Sequence, residues 1–273
     1  MKHWNDKTVI VTGAGTGVGR AVAMELARRG AIVYATARTL EKAQPVADEL
    51  AAEGFRAIPA KLDVREWEDS KRVIAQVVEA HGKLDVLINN AAVLFIGEFF
   101  EMSEASIERL VHTNLTSVLV GTLHAYQVMK EQGHGTIVNV SSLAGVLPNA
   151  SMVVYGATKH GLVGLTTSLA AEAEAFGVDV KVVCLGLIES EMLHKAEFSR
   201  GNREAVLGTL PMKPMPAAKA AQIFVDKIAG KERMTFLPWY AGIFWRLQRL
   251  SPSLLHRGAL DAIAKYRAVV TKD

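Results

Sequence analysis

Apolar and polar positions alternate along this chain in two periods. Short, nearly unbroken apolar runs at 7–12, 31–36, 56–62, 84–89, 135–140 and 178–184 read as strands, as in Val86-Leu87-Ile88 and Ile137-Val138. Between them lie longer segments, 20–29, 41–53, 66–81, 103–131 and 152–176, whose apolar residues recur at helical spacing. Strand and helix in strict alternation predict a doubly wound α/β architecture, a parallel sheet with helices on both faces. Strands buried on both faces need no polar side, which is why these runs are apolar throughout. Ligands of such a sheet are expected beyond the carboxyl ends of its strands.

A different pattern begins near 231. Ile243, Phe244, Leu247 and Leu250 recur at helical spacing with Arg246 and Arg249 between them, and Trp239, Tyr240 and Trp245 add rings. This basic amphipathic extension, 231–273, holds eight Lys/Arg against three Asp/Glu, so the remaining residues 1–230 are slightly acidic within an overall net charge of +3. Three partners are open to it: its own or a neighbouring subunit, the mouth of an active site, or an anionic membrane surface touched peripherally. The run is too short and too charged to span a bilayer.

At 273 residues and 50% hydrophobic content, with no linker or repeat, the chain fits a single domain over 1–273, its core at about 7–230. The small net charge argues against nucleic acid. The polar start lacks the apolar stretch of a signal peptide, which makes the cytoplasm the expected compartment. Cys184 excludes a disulfide within the chain, and its apolar setting reads as an inert core thiol. None of the eight histidines forms H-E-x-x-H or pairs with cysteines, so no metal is expected.

Two stretches carry chemistry. The first is Thr12-Gly13-Ala14-Gly15-Thr16-Gly17-Val18-Gly19, between a strand and a helix. Glycines let the backbone approach a pyrophosphate, and the N–H groups of the helix start attract its charge. Arg38 follows the second strand where an acid would select NAD, so it favours the 2′-phosphate of NADP(H), with NAD(H) the second choice. The second stretch is Tyr155-Gly156-Ala157-Thr158-Lys159, preceded by Ser142 at a strand's carboxyl end. One helical turn sets an ammonium beside a phenol and predicts a lowered tyrosine pKa, suited to proton transfer at a carbonyl or alcohol oxygen. Asp63, Asn89-Asn90, Ser142 and Gly186 all fall just after strands and would share one crevice.

From about 7 to 229 these residues resemble the classical short-chain dehydrogenase/reductase family. Thr12–Gly19 resembles its T-G-x-x-x-G-x-G loop, Asp63-Val64 its adenine-side acid, Asn89-Asn90-Ala91-Ala92 its N-N-A-G element and Asn114 its mid-helix asparagine, while Ser142, Tyr155 and Lys159 stand at its catalytic spacing. The resemblance implies a Rossmann-type fold and a tetrad of Asn114, Ser142, Tyr155 and Lys159. Tyr155 would be the general acid/base, Ser142 would orient the substrate oxygen, and Lys159 would lower the tyrosine pKa and hold the nicotinamide ribose. Asn114 would order a water. Gly13, Thr16, Gly17, Val18, Gly19, Arg38, Asp63, Val64, Asn90, Ile188 and Ser190 would line the dinucleotide. The hydride would come from the cofactor, and assembly as a dimer or tetramer through 103–131 and 152–176 is implied.

The chain departs from the pattern at three places. Ala92 replaces a glycine; Cys184-Leu185-Gly186-Leu187-Ile188-Glu189-Ser190 lacks the family's prolines, predicting a looser loop; and Thr16 stands where NADP-preferring members often carry a base. Met192, Leu193, Phe198, Leu207, Leu210, Met212 and Met215 would form a lid suited to a hydrophobic ketone, aldehyde or alcohol, with Leu94, Leu143, Val146 and Leu147 lining the same pocket. Two other readings are an acyl-chain ketoreductase acting on carrier-bound thioesters, with the basic tail as docking surface, and a nucleotide-binding protein without turnover.

Overall fold

The computed structural model describes residues 2–200, 202–209 and 212–270. In chain order its first half runs β1 (Thr8–Val11), α1 (Gly17–Arg28), β2 (Ile32–Ala37), α2 (Leu40–Ala52), β3 (Ala57–Lys61), α3 (Trp67–His81), β4 (Val86–Asn89), β5 (Phe95–Ile96), α4 (Glu104–Val111) and α5 (Ser117–Gln132). The second half is β6 (Gly135–Ser142), α6 (Val153–Ala173), β7 (Val178–Leu185), α7 (Glu191–His194), β8 (Glu197–Phe198), α8 (Arg203–Gly208), α9 (Ala217–Ala229), β9 (Met234–Leu237), α10 (Trp239–Leu250) and α11 (Pro252–Val270). Seven strands form one parallel sheet in the order β3-β2-β1-β4-β6-β7-β9, and β5 pairs with β8 in a separate parallel pair.

The expected alternation and parallel sheet are both present. Alternate residues of one strand enter different cores: Val9 and Val11 join α1 and α9 on one face, whereas Ile10 joins α3, α5 and α6 on the other. Both cores are mainly aliphatic, and burying each such side chain contributes about 1.5–3 kcal/mol. A third apolar cluster lies beyond the strand ends and includes Leu94, Phe95, Tyr155, Ala196, Val206 and Tyr266.

The periodicity at 103–131 predicts one helix, and the chain interrupts it. A π-helical turn at His112–Thr116 separates α4 from α5. The sheet also does not end at about 230, because β9 lies in the basic extension and pairs with β7, Cys184 opposite Phe236. No helix among the described residues is long and apolar enough to cross a membrane.

At the amino ends of the strands, opposite the chemistry, buried Asp85 locks β1 to β4. It accepts from Lys7 Nζ at 2.9 Å and the Thr8 N–H at 2.9 Å, and pairs with Lys83 at 3.0 Å.

Candidate active site

The carboxyl ends of β1, β4, β6 and β7 lie side by side, which sets the glycine loop, Asn89-Asn90, Ser142 and Ile188–Ser190 around one crevice. Thr12 draws the first two together. Its Oγ1 accepts from the Asn90 N–H at 2.9 Å and the Ala91 N–H at 3.1 Å, and Asn90 Nδ2 donates to the Thr12 carbonyl at 2.9 Å. Gly13 takes the left-handed conformation at φ +66°, where a Cβ would stand 3.0 Å from Ala91 Cα. At Gly19 a Cβ would run into the Asn90 side chain and the Gly13 carbonyl, so glycine there lets α1 sit against the strand ends.

Gly17 opens α1 opposite Ser190, and Thr16 makes no side-chain cap there, leaving the first N–H groups of the helix for an anion. Val18 packs partly buried against the core of that face. These residues fit a pyrophosphate, which needs close backbone approach and free N–H groups.

Farther along the edge, Arg38 is exposed just after β2, and its charge reaches the Asp63 carboxylate. Asp63, the expected adenine-side acid, is paired within its own loop. Its oxygens are already held by Arg65, Nε at 3.0 Å and Nη2 at 2.6 Å, and that pairing keeps its pKa below the ordinary value, against its partial burial. Val64 packs against the core beneath it.

Ser142 ends β6, where its Oγ accepts from the Ala144 N–H at 3.2 Å and its hydroxyl acts on the Tyr155 phenol. Tyr155 and Lys159 lie one turn apart on α6, and the Lys159 Nζ is 5.6 Å from the Tyr155 ring centre. The expected lowering of the tyrosine pKa is not what these atoms produce. Burial pushes the Tyr155 hydroxyl up to about 12, and Ser142 only partly opposes it. Burial likewise takes Lys159 down to about 8. The physical reason is direction: Lys159 donates to the Val140 carbonyl at 2.9 Å, so its charge is spent on the strand and both groups are desolvated together.

Asn114 is fully buried in the π turn. Its side chain is consumed by Val93, accepting from the N–H and donating to the carbonyl, both at 2.8 Å. It therefore pins the segment after β4, and a water would have to be ordered by its backbone. The loop after β7 is also firmer than its missing prolines suggest. Glu189 N–H donates to Met215 at 2.9 Å, Met215 N–H to Leu187 at 3.0 Å, and Ile188 is buried between them.

Sequence reasoning missed several positions that build this site. Asn139, a polar residue inside an apolar strand run, accepts from Asn89 at 2.9 Å and donates to Thr166 at 3.0 Å, tying α6 to the sheet. Its signal was the polar interruption of Val138-Asn139-Val140. Tyr266 and Arg267, from the extension, gave no such signal. Of the expected lid, Met192, Leu193 and Phe198 pack partly buried against the Tyr155 cluster; Leu210 lies outside the described residues. Cys184 is a buried thiol pushed up to about 12 by burial.

A buried phenol, a serine hydroxyl near it and a glycine loop opening a helix are together the features expected of an oxidoreductase of carbonyl and alcohol groups. Comparison with known proteins gives the family: residues 7–200 match the short chain dehydrogenase model, and the chain belongs to that family of NAD(P)-dependent enzymes acting on CH–OH and C=O groups. It is 36% identical over 209 residues, 76% of this chain and 83% of the relative, to a 3-oxoacyl-(acyl-carrier-protein) reductase of Staphylococcus aureus. It is 34% identical over 215 residues to an uncharacterized oxidoreductase of Thermotoga maritima, covering 77% and 85% of the two chains. A short chain dehydrogenase of Burkholderia phymatum, solved in complex with NAD, shares the fold at a TM-score of 0.84 and 24% identity, covering 93% of this chain and 96% of that one.

Proposed function

We propose that this protein, working as one catalytic domain over residues 1–273, interconverts a hydrophobic ketone or aldehyde and its alcohol with NADP(H). The observation that carries the reading is Tyr155: a phenol 7% exposed, set in an apolar cluster at the carboxyl end of the sheet, one helical turn from Lys159. Tyr155 gives its proton to the carbonyl oxygen on reduction and takes it back on oxidation, and Ser142 Oγ holds that oxygen in line. Lys159 holds the nicotinamide ribose, and Asn114 orders a relay water through its backbone carbonyl within the π turn. The nicotinamide, when bound, supplies or accepts the hydride. Gly13, Thr16, Gly17, Val18 and Gly19 cradle the pyrophosphate, with Asp63, Val64 and Asn90 toward the adenosine and Ile188 and Ser190 at the carboxamide. Arg38 takes the 2′-phosphate, which supports NADP(H) over NAD(H).

The likeness to the Staphylococcus aureus reductase favours a second reading, a ketoreductase of acyl chains carried as thioesters. Leu119 and Leu123, one turn apart and exposed on α5, and Val153 on α6 support a homodimer or homotetramer through those helices. Exposed Trp239, Ile243 and Leu250 beside Arg246 and Arg249 are the surface that peripheral membrane contact would use, on an otherwise cytoplasmic enzyme. The test is a screen of steroid, retinoid and aliphatic ketones and acyl thioesters, free and carrier-bound, with NADPH and NADH oxidation as readout. Turnover of a hydrophobic ketone with NADPH supports the first reading. Activity on carrier-bound thioesters alone supports the second, and cofactor binding with no turnover of any carbonyl refutes both.

A further inference from the structure

We propose that α11, the last helix, is the roof of the substrate pocket, that Tyr266 is its specificity-determining residue, and that Arg267 latches it down. The inference rests on Tyr155 being the proton donor described above. Tyr155 is nearly closed off, and the cluster that encloses it is built from four separate segments. Leu94, Phe95 and Ile96 come from the stretch around β5, Ala144 and Val154 from the β6–α6 connection, and Ala196 and Val206 from the segment after β7. The fourth wall is α11, through Tyr266 and Val270, 2% and 5% exposed, with Ile263 on the same helical face.

Two polar contacts fasten this wall to the neighbouring segments of the pocket, and a third joins those segments to each other. Arg267 grips the Glu98 carboxylate in a two-pronged pair, Nε at 2.9 Å and Nη2 at 2.6 Å. Arg200 joins the same node, 2.6 Å from Glu101 and 3.7 Å from Glu98. The Tyr266 hydroxyl lies 3.0 Å from Ser199 Oγ, directly after β8. Roof, β5 segment and lid segment are thus fastened around Glu98, which is itself 9% exposed. On this assignment a substrate bound at Tyr155 meets the wall that α11 adds to the cluster, and the Tyr266 ring limits its bulk.

A helix that only stabilised the fold would affect all substrates alike, so the test is size dependence in the full-length protein. Tyr266→Ala is assayed with 2-butanone, 2-octanone and 2-dodecanone at saturating cofactor. We expect kcat/KM for the longest ketone to rise about tenfold relative to the shortest, through KM. A uniform change across the series overturns the assignment. Arg267→Gln and Tyr266→Phe, which keep the apolar packing, are followed by amide hydrogen exchange. Residues 95–97 and 197–199 should exchange about tenfold faster while β1, β4 and β6 are unchanged, and unchanged exchange overturns the latch. If the wild type turns over no ketone, the functional reading fails, and the roof is decided by exchange alone. If Tyr266→Ala does not fold, the other two variants decide.

Discussion

Replacing Tyr155 by Phe separates chemistry from architecture, because the structure sets how little else the hydroxyl does. Ser142 keeps the Ala144 N–H at 3.2 Å when the hydroxyl is removed, so the variant should lose no more than about 1 kcal/mol of stability. The ring stays packed in its cluster. Turnover should suffer far more, since a positioned general acid is worth roughly 10²–10⁴ in rate, about 3–5 kcal/mol of barrier. The assay follows NADPH oxidation with the best ketone of the screen, cofactor binding by fluorescence quenching, and thermal stability in parallel. The pH dependence has a definite sign. With burial holding the hydroxyl at about 12, the protonated form needed for reduction is present throughout the neutral range. Reduction should therefore be level there, while oxidation, which needs the phenolate, should climb about tenfold per pH unit. A loss of turnover below tenfold, or an equal loss of cofactor binding, refutes the role given to Tyr155.

Arg38→Ala removes the exposed cation proposed to take the 2′-phosphate, and should weaken NADPH by roughly ten- to a hundredfold in Kd while leaving NADH unchanged; a wild type that prefers NADH contradicts the assignment. Asp85→Ala strands the buried Thr8 N–H and should cost about 2–3 kcal/mol in urea unfolding. Burial would raise the Asp85 carboxyl, but its hydrogen bonds to Lys7, Thr8 and Lys83 hold it below the ordinary 3.8, so its contribution is present above that value and lost as pH falls beneath it. Lys159 gives the same sign at higher pH, by relief of a buried charge. Its folded value of about 8 lies below the ordinary 10.5, so stability should rise from about pH 8 toward 10.5 and then fall as Tyr155 counts against the fold between 10 and about 12. Lys159→Met should abolish the rise, and its persistence in urea titrations contradicts the burial argument. Leu123→Arg places a charge on the exposed α5 face and should convert an oligomer to monomer by size-exclusion chromatography; an unchanged elution volume removes that interface.

The amino-acid sequence by itself determined the alternation that became the parallel sheet, the glycine loop that Gly13 and Gly19 make possible, and the one-turn spacing of Tyr155 and Lys159. Each follows from interactions over a few residues: side-chain period, backbone freedom and helical rise. What those groups face was decided by the tertiary structure. The direction of the Lys159 ammonium depends on β6, whose Val140 carbonyl it meets across 19 residues of chain. The Asn114 side chain, carried by the π turn, likewise meets the Val93 backbone 21 residues away. The farthest-reaching case is the extension, whose helical spacing at 243–250 was visible while its destination was not. Arg267 meets Glu98 across 169 residues of chain, and Tyr266 meets Ser199 across 67. No local periodicity encodes such a meeting, because it exists only after the sheet has brought the pocket's walls to one edge and the last helix has an apolar cluster to cover.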